Sequence, residues 1–175
     1  MFAAIAVSVL AVVGVIVAAN VVNSRPTASV DDPLALSAVE APGAATPACT
    51  ALTAALPTEL GGLRRRQIDH GDDPSLTAAA AWGEPAVVLR CGTPTPAELT
   101  CTAAVQEVDG VAWLPLSTGG ATTYFVVDRS VRIALTVPGE VTSTGPWQDA
   151  STVIAATLPK RDICRGGVPL PVDGE

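Results

Sequence analysis

The sequence is poor in the residues from which catalytic and metal centres are usually built. It has one histidine, and its four cysteines include no C-x-x-C pair, so a zinc site has poor spacing. No G-x-S-x-G segment is present to hold a nucleophilic serine. The net charge is −7, which argues against a nucleic-acid partner because phosphate binding needs a basic face. We therefore predict no catalytic residue, no cofactor and no nucleic-acid partner.

Charged residues are also missing from the N-terminal segment, where Phe2 to Val22 is an almost continuous apolar run. A helix needs about 20 such residues to cross the hydrocarbon core of a bilayer. The run therefore predicts a transmembrane anchor over residues 1–23. The small residues up to Ala19 allow a second interpretation, in which the segment is a signal peptide cleaved near Ala19 and the protein is secreted.

The chain after this run divides into two parts. Residues 24–46 are rich in proline, alanine and small polar residues without any period, which is typical of a flexible linker. Residues 47–175 have the length of one ordinary domain. Helix signals lie near its two ends, at Thr46-Pro47 and over residues 148–157, and strand signals lie between them. This order predicts an α+β fold with one antiparallel sheet and helices on one face.

The clearest strand signals are the apolar run at 86–89 and the alternation over 131–137. In the second segment, apolar residues alternate with Arg132, Ala134 and Thr136, which predicts a strand with one face in solvent. The segment 124–127 precedes it by a short polar turn, so we expect these two strands to form a hairpin.

Four cysteines in a domain that follows a membrane or signal segment favour disulfide bonds in an oxidising compartment. Three pairings are open to four cysteines. We favour Cys91–Cys101, which would close a short proline-rich loop, and Cys49–Cys164, which would tie the start of the domain to its end. The predicted location is the cell membrane, with a single span and an extracytoplasmic C-terminal domain.

The densest polar cluster is Asp69-His70-Gly71-Asp72-Asp73. The side chains of Asp69, His70, Asp72 and Asp73 could bind a divalent cation, or serve a hydrolase. Aspartate and glycine also favour solvated turns, and we prefer that interpretation.

The only basic run is Arg64-Arg65-Arg66. On a strand, Arg64 and Arg66 would share one face. They would then protect an exposed edge by charge, or act as a clamp for a carboxylate or phosphate.

Trp82 and Arg90 flank the apolar strand at 86–89. Trp82, like Trp113 and Trp147, would fill the core or line a groove for a sugar or peptide. Arg90 comes at the end of a buried strand, where an unpaired charge is costly, so we expect it to pair with Glu84.

The segments Trp82-Gly83-Glu84-Pro85 and Leu89-Arg90-Cys91-Gly92 resemble a known family, the domain of unknown function family 3515. Its members are actinobacterial secreted or membrane-tethered proteins. The resemblance implies a cell-envelope location and supplies no activity.

Two function classes stay open. The first is a non-enzymatic envelope module that binds a protein or a cell-wall component, and the second is a hydrolase or metal-dependent enzyme that uses His70 and its neighbouring aspartates.

A reporter fusion tests the predicted topology. Alkaline phosphatase fused after Glu175 should be active, because the enzyme needs an oxidising compartment to form its own disulfides. A reporter that works only in the cytosol, fused at the same position, should be inactive. The reverse pattern would contradict the prediction.

Overall fold

The computed structural model describes residues 32–174, and its centre is an antiparallel sheet of eight strands in the order β2-β3-β5-β6-β10-β9-β8-β7. These strands are β2 (Glu59–Leu60), β3 (Leu63–Arg66), β5 (Ala79–Trp82), β6 (Val87–Cys91), β7 (Gln106–Val108), β8 (Val111–Thr118), β9 (Ala121–Val126) and β10 (Ile133–Pro138). Two short pairs complete the strands: β1 (Leu34–Ala35) runs parallel to β4 (Ile68–Asp69), and β11 (Cys164–Arg165) runs antiparallel to β12 (Val168–Pro169).

Helix α1 (Pro47–Ala55) begins where the sequence predicts it. Thr46 is the N-cap, and its hydroxyl accepts a hydrogen bond of 3.3 Å from the backbone N–H of Cys49. Pro47 occupies the first helical position, where its missing N–H costs nothing. The helix ends just before Pro57.

Helix α2 (Gly145–Thr157) begins three residues earlier than the sequence predicts, with Pro146 in its first turn. Both helices contribute to the same hydrophobic core, which confirms the α+β class. That core joins one face of the sheet to α1 and α2 through Leu52, Trp82, Leu89, Trp113, Val126, Leu135 and Ile154, among others.

The sheet's second face is also covered, so the prediction of a solvent-exposed face for 131–137 is wrong at its beginning. Arg132 and Ala134 are buried, whereas Thr136 is half-buried. A second, smaller core lies on this face, where Leu99 packs with Leu114 and other residues of β8 and its neighbours. The cover consists of irregular segments, which carry no periodic signal in the sequence.

The predicted hairpin is confirmed, because β9 and β10 pair in antiparallel register.

Part of the predicted linker belongs to this cover. The Leu34 N–H donates to the Gln67 carbonyl at 2.8 Å, and the Gly43 N–H donates to the Gly92 carbonyl at 3.0 Å. Residues 32–46 are therefore attached to the domain and are not a spacer. At Gly92 a Cβ would lie 2.2 Å from the carbonyl carbon of Gly43, so this crossing requires glycine.

The predicted anchor over residues 1–23 and the first residues of the linker lie outside the described residues. Between residues 32 and 174, no helix is both long enough and apolar enough to span a membrane.

The four cysteines form two disulfides, Cys49–Cys91 and Cys101–Cys164, with Cα–Cα distances of 5.5 and 5.8 Å. All four are paired as expected, but the predicted partners are wrong. The reason is the sheet, which separates the two bonds. Cys91 belongs to the core on the helical side, with Cys49 of α1. Cys101 follows the segment that covers the other face and meets Cys164 there.

Removing the buried bond should destabilise the domain more than removing the exposed one. The chain-entropy difference between loops of 42 and 63 residues is only about 0.4 kcal/mol, and it favours the longer loop, closed by Cys101–Cys164. Cys49 and Cys91 are fully buried, so their replacement also leaves a cavity, whereas Cys101 is exposed. We expect the double variant Cys49→Ala, Cys91→Ala to lose more free energy of unfolding in urea than Cys101→Ala, Cys164→Ala. The opposite order would show that loop closure dominates.

Candidate functional site

The acidic cluster around His70 is a turn whose side chains bond to their own backbone. The Asp69 carboxylate accepts the Gly71 N–H at 3.2 Å. Asp73 caps the 3₁₀ helix Pro74–Ala78 and accepts the Ser75 N–H at 2.8 Å. Hydrogen bonds from Ser75 lower the pKa of Asp73. His70 is exposed, and among residues 32–174 no three His, Cys, Asp or Glu side chains are grouped as a metal site would need.

The arginine run lies on β3, which is not an edge strand because β2 pairs with it on the outer side. Arg64 is exposed, whereas Arg66 is buried and forms an ion pair with Glu84. Arg65 lies over the ring of Trp82, 5.6 Å from its centroid, and donates to the Leu56 carbonyl. Arg64 and Arg66 therefore have different environments and do not form the predicted clamp.

Trp82 is a core residue, as one of the two interpretations predicts. It is fully buried, and its indole N–H donates to the Pro57 carbonyl at 3.1 Å. Trp113 is equally buried and donates to the Ser151 hydroxyl at 2.9 Å. Trp147 is only partly buried and stacks on Tyr124 with a centroid distance of 4.7 Å.

The predicted pairing of Arg90 with Glu84 is wrong. Glu84 lies in the turn between β5 and β6, and that turn is joined to β3 by a hydrogen bond from Gly83 to the Arg64 carbonyl. Arg90 pairs with Ala79 at the opposite end of the same two strands. Sequence proximity misleads here because each residue along β6 moves away from the turn by about 3.4 Å.

Arg90 instead stands in a row of side chains that crosses the second face of the sheet. Ala134 of β10 pairs directly with Arg90 of β6 on one side and with Phe125 of β9 on the other. Directly opposite residues of antiparallel strands project from the same face. The small Ala134 side chain therefore leaves a depression between two large neighbours.

This depression is the floor of a groove of about 350 Å³, which we call the Arg90 groove. One wall is the Thr93–Pro96 segment, and Val39 lines it from the N-terminal segment. Its lining residues are Val39, Arg90, Thr93, Pro94, Thr95, Pro96, Thr123, Phe125, Ala134 and Thr136. Most of that surface is apolar, and Val39 is one of the few large apolar side chains that are exposed in the described part of the chain.

The polar groups of the groove are incompletely bonded. Arg90 donates from Nη2 to the Ser37 carbonyl at 3.2 Å, but its Nε has no partner in residues 32–174. The Thr93 hydroxyl is buried and likewise lacks a partner there. No carboxylate of the described chain forms an ion pair with Arg90. Burial lowers the pKa of Arg90, because desolvation disfavours its charged form.

A hydroxyl pair lies further along the same face. Thr123 and Thr136 are opposite each other, and their hydroxyl oxygens are 3.0 Å apart. A contact between two hydroxyls uses one of their two O–H donors. The pair therefore keeps a donor for another acceptor.

The proline-rich wall is held by Arg132. This buried side chain donates to the Thr95 hydroxyl at 3.0 Å, to the Val127 carbonyl at 3.0 Å and to the Leu170 carbonyl at 3.2 Å. The Cys101–Cys164 disulfide adds a covalent link between the same two segments. These links therefore fix the proline-rich wall of the groove.

Sequence reasoning found Arg90 but missed its partners in the groove. Ala134 and Thr136 were recognised as one face of a strand, and their alternation was the available signal. Nothing in the sequence placed Val39 and the Thr93–Pro96 wall on this face, because a segment without period does not show which surface it covers.

The fold and the groove define an α+β domain with two disulfides and a small pocket on the face without helices. By sequence, the chain belongs to the family described as "Protein of unknown function (DUF3515)", whose model matches residues 5–163, as the resemblance predicted. No curated protein and no solved structure matches the chain.

The ion pair of Arg66 and Glu84 should be structural. Glu84→Gln removes the carboxylate charge from this pair, while Arg66 keeps its hydrogen bond to the Asp32 carbonyl. Because the Glu84 side chain is 51% exposed, we expect a loss of about 0.5–1.5 kcal/mol in free energy of unfolding. Glu98→Gln changes an exposed glutamate and is the matched control, with a change near zero. Equal effects of the two variants in urea titrations would contradict this assignment.

Proposed function

We propose that the protein is a membrane-tethered, extracytoplasmic binding module of the cell envelope and that its ligand occupies the Arg90 groove. The single observation that carries the binding role is the combination of an apolar groove with a cation that has no counter-charge within residues 32–174. Small-molecule sites typically consist of an apolar concave surface with a few polar groups that fix orientation. The groove has this composition.

The location is supported by two features of the chain. The apolar run over residues 2–22 is long enough to cross a bilayer. Two disulfides with no remaining free cysteine among the described residues fit an oxidising compartment.

A binding role fits the described residues better than hydrolysis does. His70 is exposed in a turn where Asp69 and Asp73 accept hydrogen bonds from the backbone, so that turn offers no assembled nucleophile and base.

Site-specific photocrosslinking in cells tests the proposal. A photoreactive benzoylphenylalanine in place of Val39 should form an adduct, because this side chain lines the groove and is 42% exposed. The matched control is the same residue in place of Val168, which is 63% exposed and lies outside the groove. The proposal predicts an adduct from position 39 alone.

A variant that fills the groove provides the second arm of this experiment. Ala134→Leu adds bulk to the floor without changing charge, and it should abolish the adduct from position 39. Equal adducts from both positions, or an adduct that persists when the groove is filled, would contradict a ligand in this groove.

A further inference from the structure

We infer that the Arg90 groove binds a small amphiphilic monocarboxylate, with its carboxylate on Arg90 and its apolar body over Ala134 and Phe125. This inference rests on the proposed function, because it names the ligand class of the same groove.

The surroundings of Arg90 indicate that the ligand carries a negatively charged group. Its guanidinium is half-buried, contacts one backbone carbonyl and forms no ion pair with any carboxylate of residues 32–174. A buried charge is stable only when it is paired and hydrogen-bonded. The planar fork of arginine matches the two oxygens of a carboxylate. An anion here would supply the missing counter-charge to the part of the guanidinium that faces the groove.

The charge of the ligand is limited to one. Arg90 is the single charged side chain among the lining residues, and the whole protein carries a net charge of −7. A phosphate monoester brings close to two negative charges at neutral pH and would be repelled by that surplus. An amine would place a cation beside Arg90. A monocarboxylate brings only one negative charge, which matches the single positive charge of Arg90.

The other residues that line the groove determine the chemistry of the rest of the ligand. Phe125, Ala134, Pro94, Pro96 and Val39 offer apolar contact, with the threonine pair at the far end. A groove of about 350 Å³ has room for a short acyl chain or an aromatic ring.

Hexanoate is the probe that tests this inference. The full chain in lipid nanodiscs is titrated with hexanoate by calorimetry and ligand-observed NMR, and empty nanodiscs provide the background. We expect saturable binding, with at least tenfold weaker binding of acetate, hexanol and hexylamine. Acetate lacks the apolar body, hexanol lacks the charge and hexylamine carries the opposite charge. Hexylamine or hexanol binding as tightly as hexanoate would overturn the inference.

Two variants and one control locate the site. Arg90→Gln should weaken hexanoate binding at least tenfold, whereas Arg64→Gln, which changes an exposed arginine outside the groove, should leave it unchanged. Ala134→Leu keeps Arg90 and fills the groove, and it should abolish binding even if the Arg90 variant does not fold. Undiminished binding to a folded Arg90→Gln variant, or to Ala134→Leu, would overturn the inference.

The outcomes also separate this inference from the proposed function. A groove-dependent adduct from position 39 in cells, together with no hexanoate binding, would refute the ligand class and leave the binding role standing. Hexanoate binding that depends on Arg90, without any adduct in cells, would refute the proposed function and leave the chemistry of the groove standing.

Discussion

The central constraint on this structure is that both faces of one sheet must be buried, while the described chain supplies only two α-helices to cover them. Both helices pack on the same side, where they cover the large core around Trp82 and Trp113. The other face would expose apolar side chains such as Leu114 and Phe125 unless something else covered it. Irregular segments do so, and they need fixed points because they have no regular hydrogen bonding of their own.

Hydrogen bonds, an ion pair and a disulfide bond provide these fixed points. Arg132 joins the proline-rich segment to the C-terminal segment through one hydrogen bond to each, and a third hydrogen bond ties it to the Val127 carbonyl. Beside it, Asp128 and Arg129 form a buried ion pair at 2.8 Å, and the Arg129 side chain also reaches the Gly110 carbonyl. Such pairs contribute more to defining one arrangement than to net stability, because desolvating the two charges offsets much of their attraction. The second disulfide closes the same surface.

The Arg90 groove is the part of this face that the cover leaves open. It lies where a small residue, Ala134, stands between Arg90 and Phe125, and where the N-terminal segment and the proline-rich wall line its sides. A site on a rigid sheet with fixed walls needs little rearrangement to bind a ligand, and this lowers the entropic cost of binding. The fixed points of the fold therefore also organise the candidate site.

The sequence by itself determined the family and the local structure: the cap and proline that start α1, the alternation of β10 and the hairpin with β9. These signals act over a few residues, through capping and periodicity. Only the tertiary structure decided the disulfide partners, the partner of Glu84, the attachment of residues 32–46 and the groove at Arg90. Each depends on which face of the sheet a segment covers, and that is set by packing between residues far apart in the chain. A sequence without period, such as residues 93–103, carries no information about that choice.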